Sequence, residues 1–268
     1  MGNQIKQLWD SIAVNYGQKG PKYWDEFGEK LVDLVSPVGN ERILDIGSGR
    51  GATLFALAKK LEKGKIIGID VSTEMVKFLN QDIQTKNIRN ACVFCEDIND
   101  LSFNTQSFDI ISSGFCLASF IGNKEVFSKV LSWVKEGGYL LISSWGNQLD
   151  QEWLTLIINR YLEVEKAVKD SPEESILSNI NNNLKSYPLE NVQISEVEET
   201  VNYSSKNQWW SEMESNAVKP ILQRIEQKGP VVYEKFKDEV NNALESFKIE
   251  NQLRFRMNVI YLRAQVTR

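Results

Sequence analysis

The run Arg42-Ile43-Leu44-Asp45-Ile46-Gly47-Ser48-Gly49-Arg50-Gly51 constrains the fold more than any other part of the chain. A short apolar stretch ends in a carboxylate and three closely spaced glycines, and Leu54, Leu57, Ala58 and Leu61 then recur at helical spacing. This reads as strand, tight turn and helix, the opening of a βαβ unit whose turn leaves bare backbone open to a ligand. Nineteen residues after Gly51, a second apolar run, Lys65-Ile66-Ile67-Gly68-Ile69, ends at Asp70. A carboxylate there can accept both hydroxyls of a ribose. The pattern points to a nucleoside-containing cofactor.

Gly47, Gly49 and Ala52 fit the G-x-G-x-x-A turn of dinucleotide sites, with Asp70 as the acid. Asp45 pulls the other way. At the end of the first strand it would repel a pyrophosphate, whereas it could pair with a cationic amino group. A third strand, Ala91-Cys92-Val93-Phe94-Cys95, leads to Glu96-Asp97-Ile98, where Asp97 is suited to accept a hydrogen bond from an adenine amino group. Ser107–Ser113 reads as a fourth strand and Val134–Ser143 as a fifth, with helices expected near 51–61, 73–86 and 124–135. Such alternation implies a mostly parallel sheet covered on both faces. Ligands in these sheets sit beyond the carboxyl ends of the strands, where Asp45, Asp70, Asp97 and Ser113 all fall.

These motifs, in this order, resemble class I S-adenosylmethionine (SAM)-dependent methyltransferases, nearest to the small-molecule enzymes of the ubiquinone/menaquinone-biosynthesis type. The resemblance covers residues 5 to 145 firmly and the C-terminal third loosely. It implies a Rossmann-like α/β fold, a seven-stranded mostly parallel sheet of order 3-2-1-4-5-7-6 with an antiparallel last strand. It also implies an N-terminal helical lid and SAM as cofactor, with S-adenosylhomocysteine as its product. Asp45, Gly47, Ser48, Gly49 and Gly51 correspond to the glycine motif and its acid, and Asp70 to the ribose-binding acid. Val71, Ser72 and Met75 match residues flanking the adenine, and Asp97-Ile98 the pair on its edge. Lys135-Glu136-Gly137-Gly138 resembles the turn before the fifth strand, with Glu136 where proline is usual.

Composition narrows the rest. The 268 residues suffice for one α/β domain with additions, divided as a helical lid (1–38), a cofactor-binding core (39–148), a helical insertion (149–190) and completing strands and helices (191–268). The net charge of −5 is interspersed, without the basic stripe of a nucleic-acid footprint. No membrane-span-length apolar run or signal pattern is visible, so a cytoplasmic protein acting on a small molecule is expected. The chain has no histidine, which excludes histidine triads and a histidine general base. Cys92 and Cys95, three apart on a strand, face opposite sides and cannot share a metal; buried thiols are expected, and no metal site. Cys116 reads as a small buried hydrophobe.

Before the core, Ile5, Leu8, Trp9, Ile12 and Tyr16 share one helical face, and Trp24, Phe27 and Leu31 mark a second helix. The resemblance makes this pair a lid carrying Tyr16 and Tyr23; the same spacing is also that of ordinary amphipathic packing. In the insertion, Trp153, Ile157, Ile158, Tyr161 and Val164 or Val168 suggest one helix. Ser171-Pro172-Glu173-Glu174 would open another that ends at Asn181-Asn182-Asn183, and the pair is read as a cap over the substrate side. Val192–Val197 is expected as the sixth strand, followed by Val201-Asn202-Tyr203. Ser205 caps a helix bearing Trp209, Trp210 and Met213. A helix over Tyr233–Phe247 and a strand over Leu253–Leu262 close the chain.

Methyl transfer needs little acid–base help if the acceptor is already nucleophilic, so no catalytic residue is assigned and positioning carries the expected mechanism. The loop from Ser113 to Phe120 would face the transferred methyl; it lacks the Asn/Asp-Pro-Pro-aromatic signature of amine-methylating enzymes and any Pro-Cys nucleophile. Tyr23, Phe115, Phe120, Trp209 and Trp210, with Trp153, are candidates for an aromatic acceptor pocket. The expectation is a small-molecule methyltransferase, with O-, N- or C-methylation open. The alternatives are an NAD(P)-dependent oxidoreductase and a non-catalytic SAM-binding protein.

Overall fold

Alternating apolar residues build both faces of one sheet. Ile43 and Leu44, Ile110 and Ile111, and Leu141 and Leu140 contribute one member each to two separate cores, as the period of two requires. The structure, a computed structural model, describes residues 2–164 and 175–268. Its strands are β1 (Arg42–Ile46), β2 (Lys65–Asp70), β3 (Ala91–Cys95), β4 (Phe108–Gly114), β5 (Val134–Trp145), β6 (Leu189–Tyr203), β7 (Lys248–Ile249) and β8 (Gln252–Val266). The helices are α1 (Gly2–Ile12), α2 (Tyr23–Val32), α3 (Ala52–Ala58), α4 (Thr73–Thr85), α5 (Lys124–Trp133), α6 (Glu152–Leu162), α7 (Ile176–Leu184), α8 (Lys206–Met213), α9 (Lys219–Glu226) and α10 (Pro230–Leu244).

The sheet runs β3-β2-β1-β4-β5-β8-β6. β1 to β5 are parallel, and β8 is antiparallel to both β5 and β6. This is the order expected from the sequence, with one strand more: two-residue β7 folds back on β8 and shifts the numbering of the last strand. β2, β1, β4 and β5 end together. In register, Asp45 of β1 lies between Gly68 of β2 and Ser112 of β4, which sets the acid at the centre of the carboxyl edge.

Local sequence explains most boundaries. Ser72, Asn123, Ser175 and Ser205 each accept a hydrogen bond from the backbone N–H three residues on, which caps α4, α5, α7 and α8. The expected cap at Ser171–Glu174, and Val168, lie outside the described residues. α1 stops at Ile12, short of Tyr16, because the chain turns through Ala13–Gly17 and Gly17 takes a φ of +66°. Pro220 and Pro230 each sit in the first turn of a helix, where the missing N–H costs nothing. The sixth strand is one 15-residue strand rather than two segments, with its register shift between Glu190 and Gln193.

Cys92 and Cys95 are exposed, contrary to expectation. β3 is the sheet's edge strand; the segment from Glu96 to Ser107 that leaves it contains no helix to cover the face that carries Cys92 and Phe94, and Cys95, on the other face, is the strand's last residue. Phe94, on the same strand, is 51% exposed for that reason. Among the described residues no helix is long and apolar enough to cross a membrane.

Candidate functional site

The glycine turn after β1 folds on positive backbone angles: φ is +70° at Gly47, +50° at Gly49 and +87° at Gly51. L side chains rarely adopt this region. A Cβ on Gly47 would stand 2.4 Å from Cys116 Cβ, so the turn and the loop after β4 touch directly. The sequence suggests that the glycines present N–H groups to a ligand. In the structure those donors are engaged at home. The N–H groups of Gly47 and Ser48 both donate to Ile69 O, that of Gly49 to Asp70 Oδ2, and that of Gly51 to Ser48 O. What the turn offers a ligand is close approach to bare backbone. Space above Gly49 is open, with only Gly47 O at 4.0 Å from a built Cβ.

Asp45 is 1% exposed. Ser112 Oγ donates to its Oδ1 at 2.7 Å, and Ser48 Oγ donates to its backbone carbonyl at 3.0 Å. Its other oxygen, Oδ2, is buried without a partner. Burial therefore pushes the carboxyl up to about 6, with the nearby Asp70 charge adding to the rise. A buried carboxylate oxygen without a donor is costly, and a cationic amino group would supply what it lacks.

Asp70 is fixed on both oxygens, by Gly49 N at 2.8 Å and Ser72 N at 2.9 Å. Burial raises its pKa, opposed by those two backbone hydrogen bonds. Each carboxylate oxygen keeps a lone pair for a hydroxyl. Asp97 is placed at the next strand end, where its Oδ1 accepts from Asn99 N and Nδ2, while Ile98 is buried.

Residues expected around an adenine lie under α1. Met75 is 1% exposed and packs with Ile12, Ala13, Trp9 and Tyr16. Ser72 Oγ donates to Asp10 Oδ1 at 2.6 Å as well as capping α4, and Val71 O receives Lys6 Nζ at 3.3 Å. Asp10 also accepts from Glu74 N at 3.0 Å. Arg50, from inside the glycine turn, donates to Ala13 O at 3.0 Å and pairs with Asp82 at 3.0 Å, tying the end of α1 to α4. α1 thus covers the β2 end of the edge. Sequence reasoning does not single out Arg50, Asp10 and Lys6, since single charges on a helix and in a loop carry no periodic signal. Ser112 has a readable signal, because β4 in register with β1 sets it opposite Asp45.

Tyr16 lies on this side too, its phenol pushed up by burial and by the charges of Glu212 and Asp70. Tyr23 is buried and donates to Glu212 Oε1, itself 3% exposed. Burial raises the Glu212 carboxyl, against the hydrogen bond from Tyr23. Ser113 is fully buried, donating to Ile46 O at 2.8 Å and accepting from Leu117 N at 2.9 Å, so it shapes the loop that begins there.

At the ends of β4 and β5, Phe115 packs on Trp145 (4.6 Å between centroids) and edge-on to Trp24 (5.2 Å). Cys116, against the glycine turn, has its thiol pushed up to about 12, first by burial and then by the Asp70 and Asp45 charges, and stays protonated at neutral pH. Trp209 and Trp210 are not brought here. They pack with Trp153 and Phe236 in the core of the C-terminal helices, and Trp210 donates to Asn241 Oδ1 at 2.9 Å. Phe120 is partly buried in the core on the other face of the sheet.

A family model described as a methyltransferase domain matches residues 37–224. Aklanonic acid methyltransferase DauC of Streptomyces sp. (strain C5) is 33% identical over 113 residues, 42% of this chain and 51% of that protein. Demethylmenaquinone methyltransferase of Porphyromonas gingivalis is 24% identical over 156 residues, 56% of this chain and 64% of that one. The chain spans about half the length of the curated relatives it matches. The crystal structure of YcgJ from Bacillus subtilis superposes with a TM-score of 0.59 at 18% identity, covering 91% of this chain and 99% of that one, which shows a shared fold.

Proposed function

The chain belongs to the SAM-dependent methyltransferase family, and from that premise we propose that it transfers the methyl group of SAM to a small-molecule acceptor. One observation supports the assignment above others: a buried carboxylate, Asp45, with an unpartnered oxygen, beside a glycine turn that Asp70 braces from the next strand. The residues fit the cofactor. Asp45 would meet its ammonium, the turn from Gly47 to Gly51 would take its methionine chain against bare backbone, and Asp70 would hold its ribose hydroxyls. Asp97 and Ile98 would meet the adenine edge, with α1 and Tyr16 covering it.

When bound, SAM supplies an electrophilic methyl on a sulfonium, which passes in line to the acceptor. The chain's own contribution is orientation and exclusion of water. Phe115 and Cys116 stand at the β4 end, where the methyl would emerge, and Cys116 is held as a thiol that does not compete as a nucleophile. Within the helical insertion, α7 caps the acceptor side. An oxidoreductase reading has less support, since Asp45 would be set against a pyrophosphate.

The test is transfer of radiolabelled methyl from SAM to a metabolite extract, resolved by chromatography. Label in a low-molecular-weight product, absent with Asp70→Ala, supports the proposal. Label only in protein or nucleic acid, or no more label than Asp70→Ala gives, refutes it.

A further inference from the structure

A cavity of about 380 Å³ opens beside the glycine turn, lined on one wall by Phe115, Cys116 and Ser144 and on the other by Asn179, Ile180 and Asn183 of α7. Its size is that of small-molecule sites. Cys116 joins it to the cofactor turn, since the same residue presses on Gly47. α7 is held over it firmly. Ile180, Leu184 and Tyr187 are buried at helical spacing, the Tyr187 ring lies 4.6 Å from that of Phe127, and Tyr187 OH donates to Ile121 O at 2.5 Å.

Among the described residues the walls carry no ionisable side chain except the Cys116 thiol, which stays neutral. On those walls a phosphate or carboxylate finds no counter-charge and faces the acids behind Cys116, and an ammonium finds no direct partner, so either charge is costly to desolvate there. The polar groups are amides and hydroxyls. Asn183 Nδ2 donates to Asn179 O at 2.9 Å and to Asn179 Oδ1 at 3.1 Å, which fixes both amides. Among the described residues no hydrogen bond engages Asn183 Oδ1 or Asn179 Nδ2. One acceptor and one donor are thus left, a helical turn apart, on two residues that line the cavity.

We infer that this cavity is the acceptor site and that it selects an uncharged molecule carrying a hydroxyl next to a carbonyl, read by Asn183 Oδ1 and Asn179 Nδ2. The inference rests on the methyl-transfer reading and adds the substrate class and two specificity-determining residues to it.

Calorimetry on the full chain saturated with S-adenosylhomocysteine tests it with three matched probes: 1-hydroxy-2-acetonaphthone, 1-hydroxy-2-naphthoate and 1-naphthylmethylammonium. The neutral hydroxyketone is expected to bind at least about tenfold tighter than either ion, and Asn183→Leu to weaken it about tenfold. S-adenosylhomocysteine affinity should stay unchanged in that variant, which also reports its folding. Ala118→Leu, narrowing the cavity from the opposite wall, should weaken the same probe independently. Equal or tighter binding of an ion, failure of the neutral probe to bind, or indifference to both variants overturns the inference. Loss of S-adenosylhomocysteine binding in the unaltered chain would instead strike the methyl-transfer reading itself.

Discussion

Replacing Asp45 by Asn should stabilise the cofactor-free protein while weakening cofactor binding. Asp45 is buried, one oxygen lacks a donor, and its carboxyl is pushed up to about 6 from the ordinary 3.8. Each pKa unit corresponds to about 1.4 kcal/mol, so holding this group ionised in the folded state costs about 3 kcal/mol. The sign follows from proton binding. Between pH 4 and 6 the folded state keeps a proton that the unfolded state has lost. Stability contributed by this group therefore falls as pH rises through that window and is flat above it. Asn removes the charge and still accepts from Ser112. Urea unfolding of both proteins from pH 4 to pH 8 should show Asp45→Asn gaining up to about 3 kcal/mol at pH 8, with the gain shrinking toward zero near pH 4. S-adenosylhomocysteine should bind the variant at least about tenfold more weakly at pH 8, because its ammonium loses the carboxylate. A stability difference independent of pH, or a variant less stable at pH 8, would refute the reasoning about the unpartnered oxygen.

Other substitutions probe the surrounding frame. Gly47→Ala places a side chain at a φ of +70° and against Cys116, so a loss of more than about 1–2 kcal/mol is expected in thermal unfolding, with loss of cofactor binding. Arg50→Ala cuts the tie from the glycine turn to Ala13 O and to Asp82; hydrogen exchange in α1 should accelerate while exchange in β1 and β4 does not. Tyr23→Phe leaves the buried Glu212 without its donor and should cost about 1–3 kcal/mol in urea unfolding. In the Tyr23→Phe background, Glu212→Gln should recover part of that loss, because a neutral amide tolerates burial better than an orphaned acid.

The parts of the molecule that sequence reveals are those where one residue type has one physical use. Gly47, Gly49 and Gly51 occur where φ is positive, and the apolar runs ending at Asp45, Asp70 and Cys95 become parallel neighbours. Sequence misleads where a feature depends on what covers a surface. Cys92 and Cys95 resemble buried strand thiols, but the connection beyond them forms no helix to bury them. Trp209 and Trp210 could equally serve a pocket or a core, and the C-terminal helices claim them for the core. Asn183 reads as the end of a helix, since asparagine disfavours helix interiors, and α7 does end there, at Leu184, where Ile180, Leu184 and Tyr187 dock into the core beneath it. That docking sets the last turn, Asn183 included, on the cavity wall, which the sequence does not show. The tie between Arg50 and α1 is equally invisible in the sequence, because it joins residues that only tertiary packing brings together.

The most direct test of the account is titration of the purified chain with S-adenosylhomocysteine, NAD(H) and NADP(H), on the unaltered protein and on Asp70→Ala. Micromolar binding of S-adenosylhomocysteine alone, weakened at least about tenfold by the substitution that removes the brace on Gly49 and the ribose acceptor, is the predicted result. Binding of a nicotinamide nucleotide in its place, or S-adenosylhomocysteine affinity indifferent to Asp70, would contradict it.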